Sequence, residues 1–210
     1  MDHLDLADFE TELLKTDSII TRYPTYTKLF RFPYLKEGET VEKIQGMRSV
    51  LQQHGYRNGY VTIDASDWFV NSELIKHIQK NGLEKARIDE YRAFYIQHLL
   101  DRARYYETLS YQLHGRHISH TLLLHHNLSS ALFLKDLIQA FKSAGWEVTD
   151  ADKAFQDAVF QQVPLNVPAG ESLIWAQAKA SGKFETQLRY PAEDSRYEAP
   201  KMEALGLIVK

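Results

Sequence analysis

The sequence predicts an α/β fold, because strand-like and helix-like segments alternate along most of the chain. Apolar or aromatic runs typical of strands occur at 26–34, 60–64, 120–125 and 146–149. Between these runs, apolar residues recur over much of the chain at the spacing of an α-helix. This alternation favours a parallel sheet or barrel, in which functional groups gather at the carboxyl ends of the strands.

The composition is that of an ordinary globular domain. The chain has 210 residues, of which 44% are hydrophobic and 25% charged, so we treat residues 1–210 as one domain. The net charge of −3 argues against a nucleic-acid-binding protein, and the lack of cysteine excludes a disulfide framework. No apolar run approaches the roughly 20 residues of a transmembrane helix, and no secretory signal opens the chain.

The first predicted elements are a helix over about 5–18, an aromatic strand over 26–34 and a further helix. Pro33 is expected at the end of the strand, because proline cannot donate to a ladder of backbone hydrogen bonds. Thr40 is a suitable cap for the further helix, which is predicted to end near Gly55.

Helices dominate the predictions for the rest of the chain. The strand at 120–125 is apolar throughout, which indicates burial on both faces. The other predicted elements are helices over about 72–80 and 86–113, a helix that ends before Gly145, a loop over 163–170 and a helix over 171–181.

Asp67 and His125 are the main candidates for chemistry, because each follows a buried strand of the predicted parallel sheet. The carboxyl ends of such strands meet at one edge of the sheet. A carboxylate beside an imidazole orients the ring and favours its protonated form, which makes a competent general acid near neutral pH. The alternative is that both are unrelated polar residues in loops.

Arg31 and a group of histidines are further candidates. Arg31 lies among aromatic residues, and a buried arginine usually needs a carboxylate partner, in either a structural or a functional ion pair. Five histidines fall within thirteen residues, but Gly115 interrupts the helix, and the first three lie in the stretch that leads into the strand. A single metal site is therefore not expected, and a solvated loop is the simpler interpretation of the first three. The five are His114, His117, His120, His125 and His126.

Three short sequence motifs occur one after another, each at the end of one of the first three predicted strands. Residues 30–34 read Phe-Arg-Phe-Pro-Tyr, residues 64–68 read Asp-Ala-Ser-Asp-Trp, and residues 122–125 read Leu-Leu-Leu-His. They resemble the Arg-x-Pro-Tyr/Phe, Asp-x-x-Asp-Trp and Leu-x-His motifs of the polysaccharide deacetylases, the NodB-homology carbohydrate esterases. The resemblance implies a distorted (β/α)7 barrel that removes acetyl groups from glycans with a divalent metal, usually zinc.

The resemblance also implies a role for each matching residue. His125 would be the general acid that protonates the leaving amine, and Asp67 would tune it. Arg31 would orient the catalytic aspartate, and the backbone N–H of Tyr34 would help to hold the oxyanion.

Trp68 and Leu123 would line the pocket for the acetyl methyl group. The implied partner is an acetylated polysaccharide or oligosaccharide, and members of this family mostly act outside the cytoplasm.

The front of the chain departs from the family pattern. The first family motif, Thr-Phe-Asp-Asp-Gly, supplies the base and a metal ligand, and it is absent from the sequence. Of the second motif, His-Ser/Thr-x-x-His, only the last histidine is matched, by His3. The comparison predicts a barrel without its first strands, His3 as its one matched metal ligand, little activity of the chain alone, and self-association through exposed sheet edges.

Three interpretations stay open at this point. The chain is a deacetylase that has lost its amino terminus, or a non-catalytic member that binds a glycan or a protein partner. The third is that it acts on acetylated small amides rather than on glycans.

Overall fold

The computed structural model describes residues 4–167, 169–189 and 195–209, and helices dominate these ranges. The longest, α4, has 27 residues. The helices are α1 (Leu6–Ile20), α2 (Val41–Gln53), α3 (Asp67–Asn81), α4 (Ile88–His114), α5 (Leu128–Ser143), α6 (Ala151–Ala154), α7 (Leu173–Ser181) and α8 (Ala199–Ala204). Short 3-10 turns occupy Pro33–Leu35, Leu83–Lys85, Ala158–Gln161 and Ser195–Tyr197.

Strands are short in the described ranges. β1 (Leu29–Phe30) pairs in parallel with β2 (Arg57–Asn58). One isolated parallel bridge joins Ile63 to Leu122. The predicted (β/α)7 barrel is therefore wrong: the described chain is mainly helical, with a two-stranded parallel sheet.

Threonine side chains explain part of this difference. The predicted strands 60–64 and 120–125 do meet, but hydroxyl groups take up backbone groups that a ladder would use. Thr62 Oγ1 accepts a hydrogen bond from the N–H of Thr121 at 2.8 Å, and Thr121 Oγ1 donates to the carbonyl of Tyr60 at 2.7 Å. Three backbone hydrogen bonds join the two segments besides these side-chain bonds, and regular pairing is confined to a single bridge.

The predicted helices agree well with the structure, with one shift. The helices expected over 5–18, 86–113 and 171–181 correspond to α1, α4 and α7. The helix expected over 72–80 begins earlier, at Asp67, whose carboxylate lies in its first turn. Negative charge is favourable at that end of a helix dipole.

The main core forms around α4. This helix packs against α3, α5 and α7, and three of its tyrosines, Tyr91, Tyr95 and Tyr106, are fully buried. A second, smaller cluster joins α1 and α2, where Phe9 stacks on Phe32 with ring centroids 5.7 Å apart. The candidate site therefore lies beside a densely packed aromatic core.

Candidate functional site

Two chain segments meet where the candidate site forms. Residues 61–67 are all buried and run into the start of α3. The parallel bridge between Ile63 and Leu122 brings the segment that ends at His125 alongside them. Because the segments run in parallel, the residues that follow the bridge on each side lie near one another.

Asp67 and His125 are in direct contact, as the sequence predicts. The carboxylate of Asp67 accepts hydrogen bonds from His125 Nδ1 at 2.6 Å and from the His125 backbone N–H at 2.9 Å. The Asp67 side chain is 0% exposed, whereas the His125 side chain is 46% exposed. A buried carboxylate thus holds a ring that reaches solvent.

Asn127 completes the site, and the sequence analysis did not single it out. Its Nδ2 donates to the second carboxylate oxygen of Asp67 at 3.1 Å. Its Oδ1 accepts the backbone N–H of Ser130 at 2.9 Å and so caps α5. The signal that could have revealed it is an asparagine directly before an apolar helix.

A hydrogen bond from α5 also holds the main chain of His125. Ser130 Oγ donates to the His125 carbonyl at 2.8 Å, and the hydroxyl groups of Tyr95 and Ser130 lie 3.2 Å apart. Burial raises the pKa of Tyr95 to about 12. The hydrogen bond to Ser130 lowers this pKa, and the nearby charge of Asp67 raises it. The Tyr95 hydroxyl therefore keeps its proton at neutral pH.

These contacts define what the pair can do chemically. With Nδ1 directed to Asp67, Nε2 is the ring nitrogen that remains for a substrate or water. The hydrogen bond from Nδ1 to Asp67 fixes the orientation of the ring. The arrangement suits proton transfer at Nε2.

Arg31 contacts the backbone of the segment that precedes Tyr60, and its implied role in orienting a catalytic aspartate stays a prediction. Its Nε donates to the carbonyl of Gly59 at 3.0 Å. Burial lowers the pKa of the Arg31 guanidinium, and the negative charge of Asp64 opposes that shift. The structure thus favours Asp64, which is 1% exposed, as the carboxylate that attracts Arg31.

The remaining implied site residues differ in exposure. Tyr34 is 87% exposed and has a left-handed φ of 55°. Trp68, the residue after Asp67, is 41% exposed. Leu123 is buried, and its N–H donates to the Ile63 carbonyl at 3.0 Å. Trp68 can meet a ligand at the surface, and the roles assigned to Tyr34 and Leu123 stay predictions.

The metal prediction has a limited test in this structure. His3 lies outside the described residues. Across residues 4–167, 169–189 and 195–209, no group of three or more histidine, aspartate or glutamate side chains is arranged to hold a metal ion. A catalytic zinc site generally uses three protein ligands, so the described residues do not fit one. Zinc binding stays a prediction.

A second polar group lies buried behind the start of α3. Ser66 Oγ and His98 Nε2 are 3.3 Å apart, and His98 Nδ1 lies 3.6 Å from Glu198 Oε1. Burial lowers the pKa of His98 to about 3, helped by the positive charges of Arg102 and Lys201. His98 is therefore neutral at pH 7. No sequence motif pointed to this group.

Comparison with known proteins adds no relative. Searches against protein-family models, curated proteins and solved structures find no match for this chain. Among the described helices, none has the length and apolar character needed to cross a bilayer. The functional argument therefore depends on the geometry of the site and on the three sequence motifs.

Proposed function

We propose that this chain is a polysaccharide deacetylase-like protein that binds an acetylated glycan at the Asp67–His125 pair. The observation that carries the proposal is the 2.6 Å contact between the buried Asp67 carboxylate and the half-exposed His125 ring. The three matching motifs supply the substrate class. The barrel implied by the same motifs forms no part of the proposal.

His125 would act as the general acid. In hydrolysis of an N-acetyl group, the amine can leave only when its nitrogen gains a proton as the C–N bond breaks. Protonated His125 can donate that proton from Nε2, while its Nδ1–H stays hydrogen-bonded to Asp67. Asp67 never touches the substrate in this scheme, so it is a positioning residue.

We expect the reaction of this chain to be slow. The family motif that supplies the base has no match in the sequence, so proton removal from the attacking water lacks its usual partner. The half-exposed indole of Trp68 offers an apolar face on which a sugar ring can pack next to Asp67. Glycan binding is therefore expected to be easier to detect than turnover.

Acetate release from an N-acetylated chito-oligosaccharide tests the proposal. The wild-type chain is compared with His125→Gln and with His126→Gln, a matched control at the neighbouring exposed histidine. The assays are run with and without added zinc. We expect slow wild-type release that falls about 10²-fold in His125→Gln and is unchanged in His126→Gln.

Nuclear magnetic resonance (NMR) titration with the same oligosaccharide covers the case in which turnover is too slow to measure. Binding should shift the ring signals of His125 and the indole signal of Trp68. A glycan that binds there without His125-dependent release would favour the non-catalytic interpretation. Absence of both release and binding at this site would contradict the proposal.

A further inference from the structure

A cavity separate from the Asp67–His125 pair lies against the segment at 120–125 and α5. Its volume is about 820 Å³, which falls within the range of small-molecule sites. Neither Asp67 nor His125 lines it. Its apolar wall comes from the segment at 120–125, from α5 and from the residues after α5, and includes Leu122, Leu124, Leu137, Ile138, Phe141 and Trp146.

Polar side chains converge at one place on this cavity. The carboxylate of Glu107 contacts two imidazoles, His117 through Nδ1 and His120 through Nε2, the latter at 2.8 Å. The other ring nitrogen of His120 lies 2.9 Å from Thr62 Oγ1. An apolar cavity with a few convergent polar groups is the usual form of a ligand site.

His120 is a neutral hydrogen-bond partner of Glu107. The His120 side chain is 4% exposed, and burial lowers the pKa of His120 against the opposing effect of Glu107, so this ring is neutral near pH 7. A neutral imidazole donates a hydrogen bond but does not cancel the charge. His117 contacts the same carboxylate, and the His117 side chain itself is 83% exposed.

The cations that line the cavity have carboxylate partners of their own. Arg104 Nη1 lies 3.3 Å from Asp101 Oδ1, and Lys153 Nζ lies 3.9 Å from Glu147 Oε1. Glu107 forms no ion pair with lysine or arginine among the described contacts. Its carboxylate is thus available to a cation that enters along the apolar wall.

We propose that this cavity binds an organic amine, with its apolar body against the leucine, isoleucine and aromatic wall and its ammonium group at Glu107. The ammonium displaces the exposed His117 ring, while His120 continues to orient the carboxylate. The inference does not depend on the proposed deacetylase-like function. Charge-assisted hydrogen bonds of this kind are about twice as strong as neutral ones.

Isothermal titration calorimetry with three matched probes tests the proposal. The probes are 4-phenylbutylammonium, the neutral 4-phenylbutanol and the anionic 4-phenylbutanoate, which share an apolar body. We expect the wild-type chain to bind the ammonium about tenfold more tightly than the alcohol, a difference near 1.4 kcal/mol, and the carboxylate most weakly. Glu107→Gln should remove this preference and leave binding of the alcohol unchanged.

A matched pair of variants on α5 tests the apolar wall. Leu134 lines the cavity and is 41% exposed, whereas Leu132 is 44% exposed and does not line it. Leu134→Gln should weaken all three probes, and Leu132→Gln should weaken none. Thermal unfolding monitored by circular dichroism confirms that each variant is folded before it is compared.

Ring signals of the histidines locate the bound probe. Bound ammonium should shift the NMR signals of His117 and His120 and leave those of His125 unchanged. The proposal is overturned if no probe binds, if ammonium and alcohol bind equally, if folded Glu107→Gln keeps the preference, or if the shifts appear at His125 instead.

Discussion

Two carboxylate–imidazole contacts lie at opposite ends of the segment 120–125, and they differ in which partner is buried. At the carboxyl end, Asp67 is 0% exposed and His125 is 46% exposed. At the amino end, His120 is 4% exposed and Glu107 is 22% exposed. The same pair of functional groups is therefore presented to solvent in opposite ways.

This difference separates the roles that the two contacts can have. A buried carboxylate with an exposed imidazole presents a proton donor and acceptor to a substrate. A buried imidazole with a more exposed carboxylate presents a negative charge. The first arrangement suits proton transfer and the second suits binding of a cation, and substitutions at the two ends should have different consequences.

Substitution of Asp67 should give the largest effect. Asp67→Asn keeps the size of the side chain but places an amide among donors from His125 and Asn127. We expect a loss of about 2–3 kcal/mol in the free energy of unfolding, because hydrogen bonds to a buried charge are lost. Urea unfolding measures the change, and acetate release should fall about 10²-fold.

Asp101→Asn is the matched control, since Asp101 is exposed and carries a surface ion pair with Arg104. It should change the free energy of unfolding by less than about 1 kcal/mol. Equal effects of the two substitutions would remove the energetic basis of the comparison.

His98 should contribute to the acid sensitivity of the fold. The pKa of His98 in the folded chain is about 3, below the ordinary histidine value of 6.5, so the unfolded chain binds more protons between these two values. Stability due to neutral His98 is thus complete above pH 6.5 and declines as the pH falls towards 3. Urea unfolding at a series of pH values should show this decline reduced in His98→Gln.

The raised pKa of Glu198, caused mainly by burial, acts in the opposite direction. Because His98 and Glu198 lie 3.6 Å apart, the difference between the wild-type and His98→Gln curves reports His98 together with any change that the substitution causes at Glu198. Parallel curves for the two proteins would show that His98 is not the source of the acid sensitivity.

Glu107→Gln should have a smaller effect than Asp67→Asn. The amide oxygen of glutamine can still accept a hydrogen bond from one imidazole, and the site is partly exposed to water. We expect a loss of about 1 kcal/mol in the free energy of unfolding and no change in acetate release. A fall in acetate release as large as that in His125→Gln would show that the two ends are not separate sites.

Asn127→Ser should have the smallest effect of the series. Serine can still cap α5 but cannot reach Asp67 with a donor, so only the 3.1 Å hydrogen bond is lost. We expect a loss of about 1 kcal/mol or less in the free energy of unfolding. Asn127→Ala removes the cap as well and should cost about 1 kcal/mol more. Equal values for the two variants would place the whole effect in the hydrogen bond to Asp67.

The sequence predicts the candidate pair better than it predicts the fold. Asp67 and His125 could be paired because each follows an apolar run, and these runs do lie side by side. The sheet could not be predicted, because an apolar run does not show whether neighbouring backbones will pair. Thr62 and Thr121 use their hydroxyl groups on backbone atoms instead, and the residues at 146–149 adopt no strand.

Tertiary contacts explain the other errors. The solvated loop predicted for the first histidines is wrong for His120, whose ring is buried between Glu107 and Thr62. The ring of His120 contacts Glu107 on α4, which lies 13 positions earlier in the chain. The sequence around His120 does not reveal that contact. Asn127 was missed for a related reason, since its cap is a local signal but its bond to Asp67 joins residues 60 positions apart.

The most direct test of the central claim is the proton position on the neutral His125 ring, measured by nitrogen-15 NMR at alkaline pH. If Asp67 holds Nδ1–H, the neutral ring should carry its proton on Nδ1 in the wild-type chain, with Nε2 free for chemistry. Asp67→Asn should shift the proton towards Nε2. A wild-type ring protonated on Nε2, unchanged by Asp67→Asn, would contradict the account.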